Sequence, residues 1–331
     1  MTTLFKWAVF LLGLAVVGWI ASTTDLAAVA ADLARLGWLG SLCVLLVFAV
    51  GFCLDVVAWQ TMFSTIPLTL SGWGRLMLVH MVGEAVSTLM PFGSLGGEPV
   101  KAMLLKKRHG VTYREATATL VLAQTVNTLA EVPFVAVGLT IMAQRHVLPA
   151  WAETAMVIGG ACVAGFMVFV LSVLHLRLLA SLERRLAKRS WGEKLTRGLA
   201  AFREVEEHLF TFVRRQPARF ATALFLSFIM WVAGAVEMYV VLHFLGADVT
   251  WQDVWLLEAA VVLVRNATFF VPGHMGGQDA VLVLVVGAIT GSPELGLAVA
   301  LIRRGRELIT SCFGLSLGAW FGLRPSAAAA S

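Results

Sequence analysis

Thirteen ionisable residues stand in or beside stretches apolar enough to enter a bilayer, and these are the positions where the chain could do chemistry. Five are basic, Lys101, Arg265, Arg303, Arg304 and Arg306, and eight are acidic, Asp55, Glu84, Glu98, Glu131, Glu237, Glu258, Asp279 and Glu307. A charge at membrane depth costs from about 2.5 kcal/mol upward, so such groups pair, line a water-filled cavity or mark a substrate path. Guanidinium groups hold phosphate or carboxylate through bidentate hydrogen bonds, and Arg265, Arg303 and Arg306 are the expected contacts for an anionic group. Glu84 and Glu98 would bind a cationic portion or carry a coupling proton, with Lys101, Asn127, Gln278, Asp279 and Glu307 completing the polar set. Only residues three or four apart share a helix face. Arg303, Arg306 and Glu307 can therefore line one surface, while Arg304 snorkels or pairs locally.

Other chemistries have no pattern behind them. His80 and His274 read as hydrogen-bonded core groups, and no nucleophile–base spacing suggests an enzyme. Cys43, Cys53, Cys162 and Cys312 lie in apolar stretches without metal-ligand spacing, so they read as small buried hydrophobes. No GxxxxGK[ST] phosphate loop occurs, and neither a cofactor nor a metal is expected.

The elements that must position these charges are set by composition. Of 331 residues 59% are hydrophobic and 14% charged, and the mean hydropathy is +0.85. A soluble chain holds about 45–50% apolar and about 25% charged residues. The values exclude a water-soluble domain, a disordered chain and a nucleic-acid binder, and they indicate an all-α, multi-spanning membrane protein. Runs long enough to cross about 30 Å of hydrocarbon occur near 5–21, 38–60, 115–142, 152–176, 218–245 and 295–322, giving about six full spans. Residues 1–23 also admit a cleaved leader as an alternative. Trp38, Trp73, Trp151 and Trp251 fall near the expected interfaces, where tryptophan anchors.

Two related motifs interrupt the shorter apolar segments. Met90-Pro91-Phe92-Gly93-Ser94-Leu95-Gly96-Gly97-Glu98 and Val271-Pro272-Gly273-His274-Met275-Gly276-Gly277-Gln278 each place a proline a few residues before Gly-Gly and then Glu or Gln. Pro91 and Pro272 would stop a helix, and Gly96, Gly97, Gly273, Gly276 and Gly277 would let the chain turn back. Segments 76–105 and 254–291 therefore read as re-entrant helical hairpins. Seven residues before each proline stand Glu84 and Arg265, opposite in charge and both at mid-membrane depth, as a structural ion pair or as two substrate contacts.

Charge places the segments. With the N-terminus cytoplasmic, 18 of the 25 basic residues fall on the cytoplasmic side, ten of them in the amphipathic stretch 177–217, while only Arg35 and Arg145 fall outside. The hairpins then enter from opposite faces. This is an inverted-topology repeat, which in transporters puts a binding site near the midplane. The expected organisation is an N-terminal membrane half, 1–176, a cytoplasmic basic linker, 177–217, and a C-terminal half, 218–331, in a bacterial inner membrane with both termini cytoplasmic.

The stretch from Leu257-Glu258 through Arg265-Asn266-Ala267-Thr268-Phe269-Phe270-Val271-Pro272-Gly273, with Gly276 and the later Ile302-Arg303-Arg304-Gly305-Arg306-Glu307-Leu308, closely resembles flippase-like membrane proteins related to the transmembrane region of lysylphosphatidylglycerol synthases. It is most similar to their hopanoid-cluster branch, and Gly96-Gly97-Glu98 with Lys101 is similar to that family's proximal motif. The resemblance implies a protein that moves a lipid, or a lipid-linked head group, between leaflets. No soluble aminoacyl-transfer domain is expected, since nothing after Arg324 could supply one. The expected partners are a membrane lipid with an anionic or zwitterionic head group and, alternatively, a lipid-biosynthetic enzyme for which the chain acts as a scaffold.

Overall fold

In hydrocarbon a backbone can bond only to itself, and the helix satisfies every group within one segment. The computed structural model describes residues 26–63, 65–89, 96–176, 210–269, 271, 274 and 276–323, and among them the regular structure is helical with no strand. The helices are α1 (Leu26–Gln60), α2 (Leu70–Leu89), α3 (Glu98–His109), α4 (Tyr113–Arg145), α5 (Ala150–Leu176), α6 (Pro217–Phe244), α7 (Trp251–Ala267), α8 (Gly277–Thr290) and α9 (Pro293–Leu323). Of these, Ala34–Gln60 within α1, α4, Ala150–Phe169 within α5, and α6 are long and apolar enough to cross a membrane. They coincide with the expected spans 38–60, 115–142, 152–176 and 218–245. α9 covers the expected span 295–322 as one helix, but Arg303, Arg304, Arg306 and Glu307 at its centre keep it out of that apolar set. The expected span 5–21 and linker residues 177–209 lie outside the described residues.

Each interrupted segment holds two helices, α2 and α3 in the first unit and α7 and α8 in the second. In the first, α2 and α3 pack together, and a Cβ on Gly97 would stand 2.0 Å from the Gly83 carbonyl oxygen. Only glycine allows that approach. The Gly97 N–H donates to Ser87 Oγ at 2.9 Å, and α3 starts there with Pro99 in its first turn and ends at Gly110 in the left-handed region. In the second, α7 ends at Ala267, five residues before Pro272, so that helix stops ahead of the proline expected to stop it. Gly277 opens α8 against Thr268, where a Cβ would meet Cγ2 at 2.8 Å. Residues 90–95, with Pro91, and Pro272, Gly273 and Met275 lie outside the described residues.

Helix α4 shows how the two units are placed. Its 33 residues span about 50 Å at about 1.5 Å each. Near its start Glu115 accepts from the Thr65 backbone N–H at 3.2 Å, on the segment leading into α2. At its end Arg145 donates to Asp253, in the first turn of α7, at 2.7 Å. Midway, Glu131 accepts a hydrogen bond from Asn266 at the far end of α7. The first unit therefore begins at one end of α4, and the second begins at the other end and reaches back to the middle. The packing is also reciprocal: α2 lies against α9, α7 against α4, and α1 against α6.

Two apolar clusters result. One joins the end of α1 to α2, α3 and the first half of α4, around Phe63, Leu76, Leu105 and Leu122. The other joins the second half of α4 to α6, α7, α8 and α9, around Phe134, Met238, Leu256 and Leu282. Large apolar side chains on α1, such as Leu39, Leu42, Leu46 and Val50, are exposed, as are Phe166 and Phe169 on α5 and Leu308, Ile309 and Phe313 on α9. A surface of this kind needs a bilayer to cover it.

Candidate functional site

Polar side chains from both units and from α1, α4, α6 and α9 enclose a cavity of about 390 Å³. Six carboxylates line it, Asp55, Glu84, Glu98, Glu237, Glu258 and Glu307, against four cations, Lys101, Arg265, Arg303 and Arg306. The balance is mixed and slightly acidic.

Most of these charges neutralise one another. On the first unit, Lys101 is buried, with its stem lying on Gly83, and its Nζ donates to Glu84 at 2.7 Å and to Glu98 at 2.9 Å. Glu84 thus pairs with Lys101, one helix away, and forms no ion pair with Arg265. Asp55 on α1 accepts from His80 Nε2 at 2.9 Å. On α9, the Arg303 guanidinium grips Glu258 of α7 with two bonds, 3.0 and 3.2 Å long, and both side chains are buried. Arg306 Nε lies 3.1 Å from Glu237 of α6, and its guanidinium sits 4.2 Å over the Phe48 ring.

The neighbouring position, Arg304, points away to a different network. It donates twice to Asp279 at 3.0 Å and once to Glu307 at 2.8 Å. Asp279 in turn accepts from the Gly276 N–H that opens α8, and Gln278 donates to Glu307 at 3.1 Å. Asp279, Gln278, Glu307 and Arg304 therefore bind α8 to α9 next to the glycine turn. Arg304 pairs locally, as one of its two expected alternatives had it.

Arg265 differs from the rest. Among the described residues its guanidinium has no carboxylate within 4.0 Å and makes no hydrogen bond, and it lies 4.9 Å over the Trp231 ring. Trp231 is held by its Nε1–H donating to the Asn127 carbonyl at 3.3 Å. Asn127 adds a buried side-chain oxygen that no donor among the described residues reaches. The closest carboxylate of α4, Glu131, is taken by Asn266. A cation kept from its neighbouring acids beside an open acceptor can receive a group that brings both negative charge and a donor.

Of the expected site residues, the cavity brings together Arg265, Arg303, Arg306, Glu307, Glu84, Glu98, Lys101, Asn127 and Gln278, while Asp279 stands behind Arg304. The sequence reading did not single out Asp55, His80, Glu237, Glu258 and Trp231 as site residues. The three acids were visible as charges in apolar stretches, but their partners were not. No cluster of His, Cys, Asp and Glu that could hold a metal occurs among the described residues.

Residues 6–314 match the family described as Lysylphosphatidylglycerol synthase TM region. The chain belongs to this family. It is similar to a UPF0104 membrane protein of Methanothermobacter thermautotrophicus, at 23% identity over 76% of each chain. A UPF0104 membrane protein of Pyrococcus horikoshii is 22% identical over 78% of this chain and 80% of its own. No solved structure is a significant match. Membership makes this a multi-pass membrane protein of a family linked by its description to lipid metabolism, in agreement with its helices.

Proposed function

We propose that the protein is a membrane lipid transporter, or flippase, that passes a lipid head group between leaflets through the central cavity. The observation that carries this reading is Arg265, which among the described residues has no carboxylate within 4.0 Å, in a cavity where Lys101, Arg303 and Arg306 each have one. Its partner in function is the phosphate or carboxylate of a head group, with the Asn127 oxygen taking a donor from the same group. Arg303 and Arg306 then shape the wall through Glu258 and Glu237, and Lys101 bridges Glu84 and Glu98.

In this reading the chain has about six full spans plus two re-entrant hairpins, in halves 1–176 and 218–331 that are inverted repeats joined by a cytoplasmic basic linker. The opposite placement of α2–α3 and α7–α8 along α4 supports it. Both termini are cytoplasmic, and each hairpin closes the cavity from one face in turn. Irregular backbone at that depth is tolerated where it lines a cavity. Glu98 and Gln278, the residues that follow the two Gly-Gly pairs, line the cavity.

The test is exchange of a tail-labelled fluorescent phospholipid between leaflets of proteoliposomes, followed by quenching of the outer leaflet. Wild type exchanges it, Arg265→Ala slows exchange at least tenfold, and Arg265→Lys, which keeps the charge and loses the bidentate fork, falls between. Equal exchange by wild type and Arg265→Ala removes the assignment.

A further inference from the structure

Among the described residues only one of the two ring nitrogens of His80 has a hydrogen-bonding partner. The residue is buried, 7% exposed, between Phe52 and Trp59 at ring distances of 4.8 and 5.8 Å. Nε2 lies 2.9 Å from the Asp55 carboxylate, which can only accept, so the proton of the neutral ring is on Nε2. That leaves Nδ1 as a buried lone pair that no donor among the described residues reaches. Nε2 also lies 3.9 Å from Glu84 on the same helix. Asp55, with 29% of its side chain exposed, turns an oxygen to the cavity.

We propose that Asp55 and His80 form a proton-binding dyad whose loading is coupled to passage of an anionic head group through the cavity. The proposal rests on the lipid-transport reading and names its coupling ion. Facing the ring are Asp55 from α1, Glu84 from its own helix and Glu98 and Lys101 from α3, with Arg306 and Glu307 of α9 across the cavity. Arg306 is taken by Glu237, so Lys101 alone offsets Asp55, Glu84 and Glu98. The cluster therefore carries two negative charges with the ring neutral and one after it binds a proton. A proton leaves cavity water for the exposed Asp55 oxygen or for Nδ1, no other bond changes, and the same proton returns to water when the dyad unloads. Removing one negative charge lowers the repulsion met by a phosphate arriving at Arg265, so proton and head group load together.

The test uses the full chain in phosphatidylcholine vesicles holding a trace of tail-labelled phosphatidylglycerol, with a step of one pH unit across the bilayer and protein-free vesicles subtracted. One pH unit is a tenfold ratio in free-energy terms. One proton per lipid thus enriches the label in the leaflet facing the alkaline side by up to tenfold at steady state. His80→Gln and, as a second variant in case the first misfolds, Asp55→Asn should both end at a ratio near one. The final ratio is read, not the rate. A His80→Gln ratio equal to wild type overturns the proposal, as does a wild type that equilibrates the label without enrichment. A wild type that moves no label defeats the lipid reading instead. The dyad is then judged by the 15N signals of His80 in nanodiscs, identified by their loss in His80→Gln: change between pH 5 and pH 9 upholds it, and invariance overturns it.

Discussion

Replacing Glu258 by Gln tests how the arginines divide their work. The Arg303–Glu258 pair has 8% and 4% of its side chains exposed and two hydrogen bonds of 3.0 and 3.2 Å. Gln keeps the shape and one acceptor but leaves a buried guanidinium whose nearest remaining carboxylate is Glu307, at 3.9 Å. A carboxylate orphaned in this way could take up a proton, but arginine cannot shed its own, so no titration relieves the site. Breaking a buried pair from one side costs about 3–5 kcal/mol. At about 2 °C per kcal/mol for a chain of this size, Glu258→Gln lowers the melting temperature in detergent by about 6–10 °C. Glu258→Gln combined with Arg303→Met recovers most of this, because exchanging a whole buried pair for neutral groups is close to neutral. The assay is thermal unfolding followed by tryptophan fluorescence, with gel filtration to confirm a monodisperse protein. A loss below about 1 kcal/mol in the single variant, or no recovery in the double, would mean that Arg303 is hydrated and free to bind substrate, and the distinction between Arg303 and Arg265 would fall.

Gly97→Ala places a methyl 2.0 Å from the Gly83 carbonyl oxygen, a backbone group that cannot swing aside. It should cost about 1–3 kcal/mol, read as a lower melting temperature, while Gly165→Ala, inside α5 with nothing within 4 Å of its added methyl, should leave the melting temperature unchanged or raise it, since Ala is favoured over Gly in a helix. Asp279→Asn removes the charge that Arg304 and the α8 N-terminus share. It should speed hydrogen exchange in α8 while leaving α2 unchanged, and uniform speeding across both would refute this local role.

That segments 76–105 and 254–291 each hold two helices was legible because paired glycines inside an apolar run are a local signal, although α7 ends five residues before the proline expected to stop it. The four apolar spans were legible for a similar reason, since length and hydropathy alone decide them. The pairings were not. Counting seven residues from each proline puts Glu84 and Arg265 at similar depth, but depth carries no information about direction around the axis, and Glu84 turns to Lys101 on its own unit. Periodicity separated Arg304, which turns to Asp279, from Arg303 and Arg306, but it grouped Glu307 with the latter two, whereas Glu307 pairs with Arg304. The carboxylates that take Arg303 and Arg306 sit 45 and 69 positions away on other helices. One sequence holds nothing that joins such distant positions. His80 passed as an ordinary core residue because its missing partner is a property of the fold.

The most direct test of a head-group path through the cavity is an experimental structure of the full chain in nanodiscs of phosphatidylglycerol and phosphatidylcholine. Density for a lipid phosphate within hydrogen-bonding distance, about 2.7–3.2 Å, of the Arg265 guanidinium, with acyl chains leading out to the bilayer, is the predicted result. Arg265 closed onto a protein carboxylate, with lipid confined to the outer surface of α1, α5 and α9, would contradict it.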